Sequence, residues 1–266
     1  MQFINTHSHV YSNEFNRDRE EVLQRAVNAG IIHIILPDID AAHRAAMRAV
    51  CKEHPSLCLP LVGIHPTSVN EHYKTEIAEF DKTVASEKPI GIGEIGIDLY
   101  WDTTFKNEQR EVFLHQMHYA LSHDLPVVIH VRNAFDEIFE ILESLEALCQ
   151  VRHDFVSPPK FKGVFHCFSG NYEQAQVAIA MGFYIGVGGV ITYKNSGLDK
   201  LVSQLPLERI LLETDDPWLT PRPCKAKRNE PAFLLTVAEK VAECKNLPLS
   251  EVARITTANA MNLFQL

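Results

Sequence analysis

The sequence predicts an α/β protein: a single (β/α)₈ TIM barrel with extra C-terminal helices, one domain over residues 1–266. Three observations carry that expectation. Short apolar runs alternate with amphipathic stretches of helical period along the whole chain. There are eight such runs, and they are almost continuously hydrophobic, as strands of a parallel sheet covered on both faces are. The length of 266 residues is great for an ordinary domain but usual for one barrel. An open doubly wound sheet is the alternative; a count of eight selects the closed ring.

Taken in order, Phe3 to Thr6 is the first strand, and the helix from Arg17 to Ala29 ends at Gly30. Ile31 to Leu36, rich in β-branched residues, is the second strand, followed by a helix over Ala41 to Glu53. Leu57 to Ile64 precedes the helix Tyr73 to Ser86, and Ile90 to Ile95 precedes the long helix Phe105 to His123. Val127 to His130 is the fifth strand, with the helix Asp136 to Leu148 after it. Gly163 to His166 is paired with the helix Tyr172 to Met181, and Phe183 to Val187 with a weaker helix over Gly197 to Gln204. Ile210 to Glu213 is the eighth strand, and helices over Pro231 to Cys244 and Leu249 to Leu263 close the chain. The one irregular insert, Gln150 to Lys162 with Ser157-Pro158-Pro159, reads as a surface loop, not a domain boundary.

Composition narrows the classes of function. Hydrophobic residues make up 46%, enough for a sizeable core, and no apolar run approaches the roughly 20 residues needed to span a bilayer. The opening residues Met1 to Asn5 have no basic n-region, so a secretory leader is not expected. The six cysteines are scattered without a C-x-x-C pair, which suits free thiols in a reducing cytoplasm. A net charge of −9 makes the chain a poor general binder of duplex nucleic acid, although bound cations can still hold a phosphate locally. No obligatory protein partner is evident.

The chemistry is expected at the C-terminal ends of the strands, where parallel barrels place their sites. His7 and His9 end the first strand, Glu94 the fourth, His130 the fifth and His166 the sixth; Glu213 and Asp215 end the eighth. In a closed barrel those ends form one ring. The spacing of two in His7-Ser8-His9 turns both imidazoles to one side of a strand, as two ligands of one ion require. Singly, such residues are more often hydrogen-bonding groups than ligands; together at one end of one barrel they predict a metal centre. Four imidazoles and two carboxylates suit Zn²⁺, Mn²⁺ or iron, or Mg²⁺ with bound water, and six ligands exceed what one tetrahedral ion needs. One or two divalent ions are therefore expected, with a bridging carboxylate if two. Cys167, beside His166, is a weaker candidate ligand. The other histidines, His33, His43, His54, His72, His115, His118, His123 and His153, lie away from the ring. His65 ends the third strand in Gly63-Ile64-His65-Pro66 and points to substrate contact; Arg132, two residues past His130, can reach a phosphate or carboxylate. Lys225, Lys227 and Arg228 form a basic cluster after the Asp215 loop, which favours nucleic acid if it is more than a solvated loop.

These blocks resemble the TatD-type metal-dependent deoxyribonucleases of the amidohydrolase superfamily, from Thr6-His7-Ser8-His9 to Asn259-Ala260-Met261-Asn262-Leu263-Phe264. In between, and in the family's order, come Gly63 to Pro66, Ile92 to Asp98, Leu125 to His130, Phe165 to Gly170, Leu212 to Asp215 and Arg228 to Pro231. The resemblance implies that His7 and His9 bind one ion and His130 and His166 the other, with Glu94 bridging. It implies that Asp215 binds the first ion and orients the attacking water, with Glu213 in support or at an alternative metal position. It also implies hydrolysis of DNA phosphodiester bonds, often from a 3′ end with Mg²⁺; single strands or ends are the expected partner, with Arg228 among the substrate contacts beside His65 and Arg132. Asn5 and Asn133 stand where the family often has Asp, and the 150–162 insert lengthens the gap between His130 and His166.

Two other functions compete. A hydrolase of the same superfamily can act on another ester or amide, such as an aminoacyl-tRNA or a small molecule, because the pocket decides the bond cut. A metal-binding scaffold without catalysis is disfavoured by the presence of Asp215.

Overall fold

A computed structural model of the chain describes residues 1–151 and 161–266 and contains all eight expected strands in parallel. They are β1 (Phe3–Asn5), β2 (Ile31–Leu36), β3 (Cys58–Pro60), β4 (Ile92–Asp98), β5 (Val127–Arg132), β6 (Gly163–Phe165), β7 (Tyr184–Val187) and β8 (Ile210–Leu212). Helices alternate with them: α1 (Arg19–Asn28), α2 (Ala41–Glu53), α3 (Tyr73–Ser86), α4 (Lys106–Ser122), α5 (Phe135–Val151), α6 (Tyr172–Ala180) and α7 (Leu198–Gln204). After β8 come α8 (Leu234–Lys245) and α9 (Leu249–Phe264).

The ladders run β1-β2-β3 and β4-β5-β6-β7-β8. Two seams join them into a (β/α)₈ barrel. At one, a parallel bridge pairs Val62 with Ile92, and the Gly93 amide donates to the Val62 carbonyl at 2.9 Å. At the other, the Thr6 amide donates to the Leu212 carbonyl at 3.0 Å and the Asp215 amide to His7 O at 3.0 Å. Side chains reinforce this second seam. Asn5 Nδ2 donates to Thr214 Oγ1 at 2.7 Å, and the Thr214 amide donates back to Asn5 Oδ1 at 3.1 Å. Because the Thr214 hydroxyl donates to Asp216, it needs a donor in return, which an asparagine offers and an aspartate does not. That is a physical reason for Asn5.

Strand parity sorts the core. Ile4, Ile35, Leu61, Val128, Val164 and Leu211 point inward and form one cluster with Ala260, Leu263 and Phe264 of α9. Their neighbours, such as Ile34, Leu36, Val127, Ile129 and Phe165, belong to the larger layer between strands and helices. The helix α9 lies against the N-terminal ends of the strands: Asn259 Nδ2 donates to Leu207 O and Ile210 O, both at 2.9 Å, and Thr257 Oγ1 to Gln2 O at 2.8 Å. The floor is thus sealed, and the other end is left for chemistry.

Of the boundaries that differ from expectation, three bear on the site and its surroundings. The third strand is only Cys58–Pro60: Pro60 has no amide to donate, and beyond it the chain keeps only the Leu61 amide on Leu36 O at 2.9 Å and the bridge of Val62 with Ile92. The fourth runs on to Asp98, since its ladder with β5 continues through Asp98 opposite Arg132. The expected loop does not begin at Gln150: Gln150 and Val151 finish α5. The remainder of the insert, residues 152–160 with His153, lies outside the described residues. Among the described residues, no helix is long and apolar enough to cross a membrane.

Candidate metal centre

Parity also explains how the site is filled. Val128, Val164 and Leu211 face the barrel interior, so His130, His166 and Glu213, each two residues on, continue the same inward row. Gly186 on β7 leaves room for them; a Cβ there would come within 2.6 Å of Glu213 Oε2.

The site is organised around Glu94, which is buried and turns its two oxygens to opposite sides. Toward β1 and β8, Oε2 lies 3.1 Å from His7 Nε2 and 3.7 Å from His9 Nε2. The two imidazole nitrogens are 3.1 Å apart, and Asp215 Oδ1 is 3.6 Å from each. Toward β3, β5 and β6, Oε1 lies 2.8 Å from His130 Nδ1, 3.0 Å from His166 Nε2 and 3.2 Å from His65 Nε2. Two nests of donor atoms therefore share one carboxylate. The six expected ligands do meet, and His65 stands with the second set.

The donor set fits metal ions. Ligand atoms about 2.1 Å from a tetrahedral ion are about 3.4 Å from one another, the scale of the first nest's separations. Hydrogen bonds behind the rings fix which nitrogen is free. The Tyr11 hydroxyl donates to Pro37 O at 2.7 Å, so it accepts from His9 Nδ1 at 2.9 Å and leaves Nε2 as a lone pair. That lone pair faces His7 Nε2 and two carboxylates, an arrangement that calls for a cation. His130 Nε2 donates to Asp98 Oδ2 at 3.0 Å, which leaves Nδ1 free toward Glu94: a carboxylate–histidine pair of the kind that orients metal ligands. Glu213 Oε1 accepts from the Cys167 amide at 2.5 Å and lies 3.4 Å from His166 Nδ1. The thiol of Cys167 takes no part in either nest, and burial, with Asp215 next, pushes it well above the ordinary range.

Charge is distributed unevenly. Burial alone would raise Glu94, but His166, His65 and His7 around it outweigh burial and hold its carboxyl well below the usual range. Burial pushes Asp215 up to about 8 against the pull of His166, with Glu94 and Glu213 adding to the rise. His7 and His9 are lowered by burial and by imidazole neighbours. His130 and His166 are raised: burial opposes it, but Asp98 and Glu94 at the one, and Glu94 and Glu213 at the other, prevail.

Above the nests lies a cavity of about 380 Å³ lined by His65, Asp98, Trp101, Arg132, Asp215 and Trp218 among others. The chain has two tryptophans, and both stand at this mouth, 70% and 50% exposed for Trp101 and Trp218. Arg132 lies over the Tyr100 ring at 3.8 Å and the Trp101 ring at 5.1 Å, so its guanidinium is held at the rim. Arg228 is not at the cavity, contrary to expectation. Its fork is committed to Asp18 at 2.9 and 2.7 Å and to Glu14 O at 2.5 Å, over the Phe15 ring. Lys225 lines a different cleft. Sequence reasoning gave no role to Asp98, Tyr11 or the two tryptophans. For Asp98 a signal existed: it shares strand parity with Glu94, four residues on.

Known proteins resemble the chain along nearly its whole length. The family model described as TatD related DNase matches residues 4–265. The metal-dependent hydrolase YabD of Bacillus subtilis is 35% identical over 266 residues, 99% of each chain. A protein of Erwinia tasmaniensis named 3′-5′ ssDNA/RNA exonuclease TatD is 31% identical over 262 residues, 96% of each. The crystal structure of the TatD homologue YjjV from Escherichia coli superposes with a TM-score of 0.86 at 31% identity, covering 99% of this chain and 98% of that one.

Proposed function

This chain belongs to the TatD related DNase family and is a metal-dependent hydrolase, and we propose that it removes nucleotides from the 3′ ends of single-stranded DNA. The observation that carries this reading is the cavity mouth: a shared carboxylate at its base, a guanidinium at its rim and both tryptophans exposed beside it. Exposed indoles offer faces to nucleobases, and stacking is worth about 1–3 kcal/mol per base. A terminal nucleotide can enter such a concavity, whereas a stacked duplex cannot.

His7, His9, Glu94 and Asp215 would hold one ion, and His130 and His166 the other with Glu94 shared. His65 stands close enough to the second set to join it or to touch substrate. The imidazole-rich set favours Zn²⁺ over Mg²⁺. Bound divalent ions would supply positive charge to the scissile phosphate and acidity to a water. Asp215 faces both the first nest and the cavity; with its proton displaced by a bound ion, its carboxylate would be placed to accept the proton of the attacking water. Arg132 offers its fork to a phosphate oxygen from the rim. Asp98 holds His130 in its ligating tautomer.

The test is an assay of metal-reconstituted protein against single-stranded DNA, duplex DNA, single-stranded RNA and a panel of small esters and amides. Shortening of single strands from the 3′ end, with blunt duplex slower, is expected. Efficient turnover of a small ester or amide with every polynucleotide untouched would replace the nuclease by the small-molecule hydrolase. RNA cut in preference to DNA would move the substrate to RNA.

A further inference from the structure

A second concavity lies on the same end of the barrel, between the loop after β7 and the loop after β8. It measures about 860 Å³ and is lined by Tyr193, Lys194, Arg222 and Lys225 among others. Its walls are stitched together. The Tyr193 hydroxyl donates to Thr220 O at 3.1 Å, and the Arg222 amide donates to Thr192 Oγ1 at 2.7 Å. Gly189 packs so closely on the other loop that a Cβ would come within 2.1 Å of Leu219 O. The cleft is thus built into the backbone of both loops.

Its charge runs against that of the chain. The protein carries −9 overall, yet no Asp or Glu lines this cleft, and its three cations are exposed. Among the described residues none of the three makes an ion pair, whereas Arg25, Arg44, Lys106 and Arg228 all do. The cleft also adjoins the metal cavity. Leu219 lines that cavity and Arg222 lines the cleft, and three residues of chain span at most about 10 Å.

We propose that this cleft is the path of the substrate strand: it takes the single-stranded polynucleotide on the 5′ side of the bond held at the metal centre. Lys194, Arg222 and Lys225 contact its phosphates, and the Tyr193 ring offers a face to a base. This inference rests on the nuclease reading of the metal centre. It makes the enzyme sensitive to strand length, with substrates longer than a few nucleotides gaining affinity from the cleft. The occupant follows from the chemistry: a row of cations without acids, beside a site that takes one end of a chain, suits a continuous polyanion rather than a separate small molecule.

The experiment measures fluorescence anisotropy of labelled dT3 and dT12 on metal-loaded protein carrying Asp215→Asn to suppress turnover. It compares that parent with the same protein bearing K194A, R222A and K225A as well. In the parent, dT12 binds roughly tenfold or more tighter than dT3. In the triple-alanine protein the length advantage collapses, and the slope of log K against log salt flattens by about 2, as three lost single-strand phosphate contacts require. A melting curve checks the fold; if the triple variant melts early, Lys194→Glu alone is read in the same way. An unchanged length advantage and salt slope would overturn the cleft and leave the nuclease reading standing. No length advantage in the parent would also overturn it. A parent that binds dT12 through these residues, in a protein whose wild type cleaves no polynucleotide, would overturn the cleft as a substrate path together with the nuclease.

Discussion

The two nests on either side of Glu94 are made of different material. The first joins the two ends of the chain: His7 and His9 from the end of β1, Asp215 from beyond β8, all closely packed. The second draws on β5 and β6 and on His65; its His65 and His130 are 14% and 18% exposed against 0% and 4% for His7 and His9, so the first nest meets the cavity chiefly through Asp215. The backing differs too: Tyr11 stands behind His9, whereas the carboxylate of Asp98 stands behind His130. The difference teaches a division of labour. The enclosed nest is suited to hold its ion and to handle the proton, and the open one to exchange ligands with substrate.

The sharpest way to break that division is Asp215→Asn. Asp215 has a left-handed φ of 56°, a conformation Asn tolerates, so the backbone is preserved. At least a roughly 100-fold loss in kcat is expected, with both ions retained by elemental analysis. Full turnover at full occupancy would take the proton-accepting role from the first nest. Next in size is Asp98→Asn, which removes the charge behind His130. A metal titration should show the affinity of the second ion falling about 10- to 100-fold, the first unchanged. Equal losses at both would erase the distinction.

Acidity sharpens it further. In the ion-free protein His7 and His9 are lowered and so neutral near pH 7, and only Asp215, at about 8, keeps a proton for the first ion to displace. His130 and His166 are raised, His166 the more, so the second ion competes with protons on two of its ligands. Affinity therefore falls as pH drops from 8 to 6.5 at both nests, and more steeply at the second. Calorimetry with two equivalents of Zn²⁺ across that range checks it; parallel slopes would contradict the assignment. The smallest effect is expected at Arg228→Ala, outside both nests. Loss of its partly exposed pair with Asp18 should cost under about 1 kcal/mol in urea unfolding and leave kcat/KM as it was.

Much of this was legible in the residues. The eight strands and the ring of polar residues at their ends follow from apolar period and from parity, which is why His130 and His166 meet Glu94 across three strands. Asp98 lies beyond Gly96, after the point where the expected strand ends at Ile95, while the ladder with β5 continues through it. Arg228 misled because a basic cluster reveals charge but not its partner, here 210 residues away in sequence. The tryptophans carried no signal, since exposure of an indole is set by the loops around it. Pro60, by contrast, is a signal visible in the residues: a proline inside an apolar run shortens the strand that can be expected there.

The seam between β8 and β1 has one more consequence. His7 and His9 lie more than 200 residues from Asp215, so the first nest does not exist until the last strand has docked on the first. An ion held there works as a clasp on a finished ring. It would close a loop of more than 200 residues, and its binding free energy would become folding free energy. During synthesis no nascent fragment ending before β8 can hold it, so hydrolytic competence arrives only with the closing of the circle.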